Sequence, residues 1–183
     1  MDAVAALRAG KLVVLPTDTV YGLAAAADDE AAVRELSQVK GRAESTPIAL
    51  VAASVDVLLD LVPELRDNES TARELLPGPY TLVFPNPAGR YPWLSPETIG
   101  VRVPELSGDV KAILMEVEAV AATSANLHGG PDPRTLADVP EEIRSACAAL
   151  VDGGELPGTA STVIDFTGGE PRVLRRGAGP WPR

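Results

Sequence analysis

Short apolar runs alternate with amphipathic segments along the chain, and polar turn residues separate them. The apolar runs are rich in valine, leucine and isoleucine and are typical of buried strands, whereas the longer segments repeat apolar residues at helical spacing. The pattern predicts strands at 11–15, 48–51, 81–84, 99–104, 119–123, 150–151, 161–166 and 172–174. It predicts helices at 2–9, from 28–30 onward, and at 54–61, 67–76, 108–117 and 135–149. This order predicts one α/β domain across residues 1–183, with a twisted mixed open sheet and surrounding helices, and it disfavours a simple doubly wound fold.

Composition and charge narrow the classes of function. The chain has 183 residues, is 45% hydrophobic and carries a formal net charge of -10, which disfavours broad binding to nucleic acid or to an anionic membrane. No apolar run approaches the roughly 20 residues of a membrane-spanning helix, and the N-terminus lacks the pattern of a signal peptide. The single cysteine, Cys147, favours a cytoplasmic location. The single histidine, His128, is expected on the surface, which disfavours a catalytic triad or a zinc hydrolase.

Several short segments place polar or cationic residues next to the ends of predicted elements. Ligands of open α/β sheets bind where loops converge at strand ends, so these segments are candidates for one site. The segments are 16–19, 40–42, 98–102, 123–126 and, near the C-terminus, 161–162 with 175–176.

Two of the cationic segments have a structural and a functional interpretation. Lys40 and Arg42 flank a glycine after a predicted helix, so the glycine either caps that helix or lets the two cations form a clamp for an anion. Arg102 alternates with Val101 and Val103, so its side chain is expected on the face opposite both valines. There it is either exposed on a strand face or aimed into a cleft, where its guanidinium suits a carboxylate.

Each of the remaining segments also has a structural and a functional interpretation. Thr17 and Thr19 flank Asp18 either in a plain turn between strands or in the polar floor of a ligand site. The small residues of 123–126 form either a polar turn or a place where backbone approaches a nucleotide or phosphate closely. The three arginines in 172–176 either guard an edge strand or bind a polyanionic ligand.

Motifs that follow one another in a fixed order are more specific than any one segment. They are Leu15-Pro-Thr-Asp-Thr-Val-Tyr-Gly-Leu23, Lys40-Gly-Arg42, Pro77-Gly-Pro-Tyr-Thr-Leu82, Gly100-Val-Arg-Val-Pro104, Ser124-Ala-Asn126 with 129–133, and Ser161-Thr-Val-Ile-Asp165 with Leu174-Arg-Arg-Gly177. Together they resemble the YrdC-like family, the threonylcarbamoyl-adenylate synthases, over about residues 3–177. The chain resembles the short form of that family, without the additional C-terminal domain that some relatives carry.

The resemblance implies a fold with a large concave cavity and an enzyme that joins L-threonine, bicarbonate and ATP. The products would be threonylcarbamoyl-AMP and pyrophosphate. A separate transferase complex would then place the threonylcarbamoyl group on the adenosine next to the anticodon of certain tRNAs. Magnesium would arrive with the ATP phosphates and have few protein ligands. The resemblance therefore implies no metal-binding residue of the chain itself.

The resemblance also implies roles for individual residues. Lys40 and Arg42 would meet the ATP phosphates and the carbamate, and are the expected catalytic residues. The residues expected to bind threonine are Thr17, Arg102, Ser124 and Ser161. The residues expected to bind the nucleotide are Lys40, Arg42, Thr98, Asn126, Arg134 and Arg175. Ala43 and the pair His128-Gly129 depart from patterns common in the family, which leaves the local geometry of these two loops open.

Three other functions compete with this interpretation. A non-catalytic RNA-binding module would have the same fold, but a net charge of -10 and an aromatic content of 4% disfavour it. A carbamoyl-transfer domain that uses carbamoyl phosphate, as in hydrogenase maturation, would belong to a much longer chain. A paralogue would keep the cavity and use other substrates, which the retained Lys40/Arg42 and Ser124/Asn126 pairs disfavour.

Overall fold

Nine strands pair into one mixed sheet within residues 1–181, the part of the chain that the computed structural model describes. The strands are β1 Val13–Pro16, β2 Tyr21–Ala26, β3 Ala49–Ala52, β4 Tyr80–Pro85, β5 Thr98–Arg102, β6 Ala119–Ser124, β7 Ala149–Leu150, β8 Thr162–Asp165 and β9 Arg172–Arg175. Their spatial order is β7-β1-β2-β6-β3-β5-β4-β8-β9. The pairs β7–β1, β3–β5 and β4–β8 are parallel and the others are antiparallel. The predicted mixed α/β fold is confirmed.

Helices pack on both faces of the sheet. They are α1 Ala3–Arg8, α2 Glu30–Lys40, α3 Val55–Leu61, α4 Glu69–Leu75, α5 Gly108–Val117 and α6 Glu141–Ala146, with 3-10 turns at Pro63–Asn68 and Leu136–Asp138. The side chain of Asp29 accepts from the backbone of Ala32 and begins α2, and Gly41 ends it with φ 69°. A left-handed φ is costly for residues with a Cβ, so a glycine at this position gives the helix a sharp end. No helix among residues 1–181 combines the length and the apolar character that crossing a membrane requires.

The two faces of the sheet have different partners because successive side chains of a strand point to opposite sides. On one face, Leu50, Leu82, Val101 and Ile164 belong to the main core, which also contains the buried residues of α2. On the other face, α1 and α5 cover only the end of the sheet around β1, β2 and β6. The uncovered remainder of that face is available to form a cavity.

The predicted helix at 135–149 is wrong. A capping box between Thr135 and Asp138 encloses a single 3-10 turn, and the regular helix α6 begins only after Pro140. Proline has no N–H for a helical hydrogen bond, and it disfavours helical geometry in the residue before it. Val139 accordingly has ψ 124°, which is extended backbone. The strand predicted at 150–151 is β7, Ala149–Leu150, and several other ends differ from the predictions by a few residues.

Candidate active site

A cavity of about 480 Å³ lies on the uncovered face of the sheet. Its floor contains a row of mostly small residues that pair across neighbouring strands: Ala122, Ala49, Gly100 and Val83. Because these side chains are short or absent, the sheet leaves a hollow where larger residues would fill it. A volume of this size is typical of small-molecule sites. The polar residues that line the cavity include Thr17, Arg42, Thr81, Thr98, Arg102, Ser124, Ser161, Asp165 and Arg175.

Arg102 enters the cavity from β5 and is largely buried. Its Nη2 donates to Oδ1 of Asp18, with which it forms a buried ion pair, and to Oγ1 of Thr19 at 2.7 Å. Its Nε is buried and has no hydrogen-bond partner among the described residues. Burial lowers the pKa of Arg102, while the nearby Asp18 charge raises it. The side chain is thus a fixed cation, and the N–H groups of Nε and Nη1 make no hydrogen bond among the described residues.

Thr17 lines the cavity and also organises the turn between β1 and β2. Its hydroxyl donates to the carbonyl oxygen of Val20 at 2.7 Å and accepts from the backbone N–H of Thr19 and of Val20, both at 3.2 Å. The segment is therefore a turn between strands, and its contact with a ligand stays a prediction. A polar turn between strands also supplies part of the cavity wall.

Lys40 is buried, with an exposure of 5%, at the end of α2. Its Nζ donates to the carbonyl oxygens of Ser124 at 2.5 Å and Asn126 at 2.8 Å, and to Oδ1 of Asn126 at 2.6 Å. Burial, and secondly the charge of Arg42, lowers the pKa of Lys40 to about 8, and Asp132 opposes this shift. All three N–H donors of the ammonium group thus bind oxygen atoms of the loop that carries Ser124, a residue of the cavity lining.

Arg42 lies two residues after Lys40, but most of its N–H donors have no partner among the described residues. Its side chain lines the cavity, and its Nε and Nη2 are buried without a hydrogen-bond partner among residues 1–181. Only Nη1 has a contact, at 3.5 Å from Oγ1 of Thr123. Burial lowers the pKa of Arg42. A buried guanidinium with free donors is costly unless a ligand completes it, and an anion is the ligand that it fits.

Ser161 and Arg175 meet at another wall of the cavity. Both Nε and Nη2 of Arg175 donate to the carbonyl oxygen of Ser161, at 3.2 and 2.9 Å. The Ser161 hydroxyl lies 2.8 Å from Oγ1 of Thr81, which projects from β4 into the same space. The parallel pairing of β4 with β8 brings these hydroxyls together, although 80 residues separate them in the chain.

The predicted site residues divide into those that line the cavity and those that do not. Thr17, Arg42, Thr98, Arg102, Ser124, Ser161 and Arg175 line it, whereas Lys40, Asn126 and Arg134 are absent from its lining among residues 1–181. Asn126 is buried behind the cavity, where its Oδ1 accepts from the Ser124 hydroxyl at 2.7 Å and its Nδ2 donates to Gly130. The Thr98 hydroxyl lies 3.0 Å from that of Ser95.

Arg134 lies outside the cavity lining. Its guanidinium donates to Glu155 at 2.7 Å, and this ion pair is about half exposed on both sides. Its backbone is occupied as well, because its N–H donates to Asp138 and its carbonyl oxygen accepts from Leu156. The expected contact of this position with ATP stays a prediction.

Two features of the cavity were not predicted. Thr81 is one, and its position two residues before Val83 on β4 is the signal that places both on the same face. The other is Asp165 at the end of β8, whose carboxylate accepts from Thr167 and pairs with Arg172. The hydrogen bonds from Thr167, and then the pair with Arg172, lower the pKa of Asp165.

An open mixed sheet whose uncovered face forms an arginine-lined cavity defines an α/β protein with a candidate small-molecule site. The family model Sua5/YciO/YrdC, described as telomere recombination, matches residues 5–177. The chain therefore belongs to the Sua5/YciO/YrdC family, and the resemblance to YrdC-like proteins is confirmed.

Individual relatives resemble this chain both in sequence and in structure. Threonylcarbamoyl-AMP synthase of Pyrococcus abyssi is 39% identical over 178 residues, which cover 95% of this chain and 52% of that protein. A Mycobacterium tuberculosis relative is 37% identical over 97% of this chain and 83% of its own length. The crystal structure of Pyrococcus abyssi Sua5 complexed with L-threonine superimposes with a TM-score of 0.83 at 37% identity, over 96% of this chain and 53% of that one. The chain thus spans about half the length of the Pyrococcus abyssi relative.

Proposed function

We propose that the protein is a threonylcarbamoyl-AMP synthase, which converts L-threonine, bicarbonate and ATP into threonylcarbamoyl-AMP and pyrophosphate. Relatives with this name cover most of the chain at 33–39% identity, and one relative was crystallised with L-threonine. One observation in the structure carries the proposal. The guanidiniums of Arg42 and Arg102 line the same cavity, and buried nitrogens of both side chains, Nε and Nη2 of Arg42 and Nε of Arg102, have no partner among the described residues. Such a cavity suits a ligand pair with a phosphate and a carboxylate.

The reaction needs no protein nucleophile. The amine of threonine combines with bicarbonate to form a carbamate and water. A carbamate oxygen then attacks the α-phosphorus of ATP, and the bond to the leaving pyrophosphate breaks. Burial raises the pKa of the Cys147 thiol to about 12, so this thiol stays protonated and unreactive near neutral pH. The task of the chain is to align the reactants, which lowers a barrier by roughly 7–11 kcal/mol in favourable cases, and to neutralise phosphate charge.

On this proposal, each lining residue takes a role that its position supports. Arg102 binds the carboxylate of threonine, and the guanidinium of Arg42 binds phosphate oxygens. Lys40 acts indirectly, because its ammonium group holds the loop that carries Ser124. The remaining contacts of the lining residues follow the sequence-based assignments: Thr17, Ser124 and Ser161 with threonine, and Thr98 and Arg175 with the nucleotide. Asn126 lies outside the lining and acts through the Ser124 hydroxyl, and the Arg134 side chain, which pairs with Glu155, is given no role.

Magnesium belongs to the proposal as part of the substrate Mg·ATP. Among residues 1–181, no group of three or more histidine, cysteine, aspartate or glutamate side chains has the spacing of a metal site. The Asp165 carboxylate lines the cavity but already accepts from Thr167 and Arg172. The ATP phosphates would therefore supply most of the ligands of the magnesium ion.

The product would serve a transferase complex that modifies adenosine next to the tRNA anticodon, and the same proposal includes a cytoplasmic location. A role as an RNA-binding module without catalysis is not favoured, because the chain carries a formal net charge of -10.

Pyrophosphate release tests the proposed reaction. The full chain is incubated with L-threonine, bicarbonate and Mg·ATP, and each of the three is omitted in turn. Release should require all three, and mass spectrometry should detect threonylcarbamoyl-AMP only in the complete mixture. Pyrophosphate release that does not depend on threonine would overturn the proposal, and so would a complete mixture without turnover.

A further inference from the structure

In the proposed reaction, Arg102 is the cation that binds the carboxylate of threonine. The ion pair between Asp18 and Arg102 fixes the position of this cation. We infer that Asp18 is a positioning residue, which orients Arg102 so that the site selects amino acids with a free carboxylate. This inference rests on the proposed function, because it assigns to Asp18 the recognition of threonine by the same cavity. Asp18 itself is not among the residues that line the cavity within 1–181.

The hydrogen bonds of the guanidinium show how the orientation arises. Both donors of Arg102 Nη2 are occupied, one by Oδ1 of Asp18 and one by Oγ1 of Thr19. Nη1 makes no hydrogen bond among the described residues and, unlike Nε, is not one of the buried unpaired atoms, so Nη1 is the donor that a ligand in the cavity can reach. The ligand carboxylate therefore has a donor of its own and does not have to displace Asp18.

Asp18 is fixed independently of the arginine. Its second oxygen, Oδ2, accepts from the backbone N–H of Glu105 at 3.0 Å, and its backbone belongs to the turn that the Thr17 hydroxyl organises. Each side chain of the Asp18–Arg102 pair is 11% exposed. An aspartate held in this way is a permanent neighbour of Arg102, rather than an occupant of the substrate position that leaves when threonine arrives.

The Asp18 charge also offsets repulsion among cations. Arg175 lines the same cavity and its charge acts on Arg102 in the direction that lowers the pKa, whereas Asp18 acts in the opposite direction. Without the aspartate, Arg102 would lose both its fixed direction and its neutralising partner. Threonine binding should then suffer more than nucleotide binding.

The test compares Asp18→Asn with wild type in the full chain. Asparagine has nearly the same shape and no charge, so it removes the ion pair with little change in volume. Binding is measured by calorimetry with L-threonine and with L-threonine amide, which lacks the carboxylate charge, in the presence of a non-hydrolysable ATP analogue. Steady-state kinetics supply KM and kcat for threonine and for ATP. Asp56→Asn is the control, because the Asp56 carboxylate is exposed and pairs with Arg73 on the surface.

The expected result is a loss of selectivity. Asp18→Asn should weaken L-threonine binding by about tenfold or more, the effect of one hydrogen bond between charged groups, and raise KM for threonine with a smaller change in kcat. The affinities for threonine amide and for the ATP analogue should stay within about twofold of wild type, a factor that corresponds to well under one hydrogen bond. Asp56→Asn should match wild type throughout. If Asp18→Asn fails to fold, Thr19→Val removes the other partner of Nη2 and should lower threonine affinity in the same selective way.

Two results would overturn the inference. Tighter threonine binding by Asp18→Asn would show that Asp18 competes with the substrate, and unchanged selectivity would show that the ion pair serves only the fold. Wild-type protein that binds no threonine would instead be a failure of the proposed function, so the two failures are distinguishable.

Discussion

The Lys40 ammonium group lies 2.6 Å from Oδ1 of Asn126 and is buried among oxygen atoms of the Ser124–Asn126 loop. The same Asn126 oxygen accepts from the Ser124 hydroxyl. One cation and one amide thus fix the orientation of the hydroxyl that faces the cavity. Arg42, two residues after Lys40, carries the donors that remain free for a ligand. The two cations of this motif therefore have different tasks.

Replacing Lys40 should lower the stability of the protein. Lys40→Met keeps an apolar stem of similar length but leaves the carbonyl oxygens of Ser124 and Asn126 without this donor. An unsatisfied buried polar group costs about 1–3 kcal/mol, so the free energy of unfolding in urea should fall by about that amount. Pyrophosphate release should fall as well, because the loop loses its anchor. Unchanged stability would contradict the structural role given to the ammonium group.

Activity should depend on the protonation of Lys40. Its pKa of about 8 in the folded state lies below the ordinary value of 10.5, so the unfolded chain binds more protons between these values. The contribution of this group to stability therefore rises with pH in that window, because the cost of burying the charge disappears. A neutral amine has only two N–H donors for the loop oxygens, so kcat/KM should fall as pH rises through about 8.

A pH series separates the two effects. The kcat/KM profile should lose activity with a midpoint near pH 8, while urea unfolding at the same pH values shows no parallel loss of stability. The residual activity of Lys40→Met should lack this midpoint. A flat wild-type profile between pH 7 and 9.5, or one that follows global unfolding, would contradict the assignment to Lys40.

Arg42→Met should remove activity without destabilising the protein. The wild-type guanidinium keeps Nε and Nη2 buried without partners, so replacing it with an apolar side chain relieves a cost to folding. The free energy of unfolding should stay level or rise, and most pyrophosphate release should be lost because phosphate charge is no longer neutralised. Arg34→Met, on the preceding helix α2, is the control, since Arg34 is exposed and pairs with Glu30. Near-wild-type turnover in Arg42→Met would remove the phosphate-binding role.

Alternation along β5 allowed much of the cavity to be predicted from sequence. Val101 and Val103 are buried in the core, and Arg102 projects from the opposite face, as the strand period requires. The structural interpretation of 40–42 is confirmed, because Gly41 caps α2, whereas the two-cation clamp stays a prediction and only Arg42 of the pair lines the cavity. Such features can be predicted because they depend only on residues that are close together in the sequence.

Contacts between distant segments could not be predicted in the same way. Asp18 and Arg102 are 84 residues apart, and Lys40 and Asn126 are 86 residues apart, so only the order of strands in the sheet brings them together. The helix predicted at 135–149 runs through Pro140, although a proline inside a helical pattern indicates a boundary.

Arg134→Ala should have almost no effect on ATP use. The side chain is exposed and pairs with Glu155, and exposed pairs contribute about 0–1 kcal/mol. We expect KM for ATP to change by less than about twofold, with the melting temperature nearly unchanged. An increase in this KM beyond about fivefold, which corresponds to roughly 1 kcal/mol, would show that the Arg134 side chain contacts the nucleotide during turnover.

Gly100→Ala should fold and yet weaken ligand binding. A Cβ at Gly100 would lie 3.7 Å from Cγ2 of Thr81 and 4.0 Å from Cα of Ala49, which are ordinary contacts, and Gly100 is not among the glycines with positive φ. The methyl group would project into the floor of the cavity, and overfilling a packed site costs about 1–3 kcal/mol. KM for threonine or ATP should therefore rise by about tenfold, whereas stability should stay level or increase slightly. Gly169→Ala, in a turn with open space around it, is the matched control for the loss of backbone freedom. Unchanged KM values in Gly100→Ala would show that the substrates do not reach this part of the sheet.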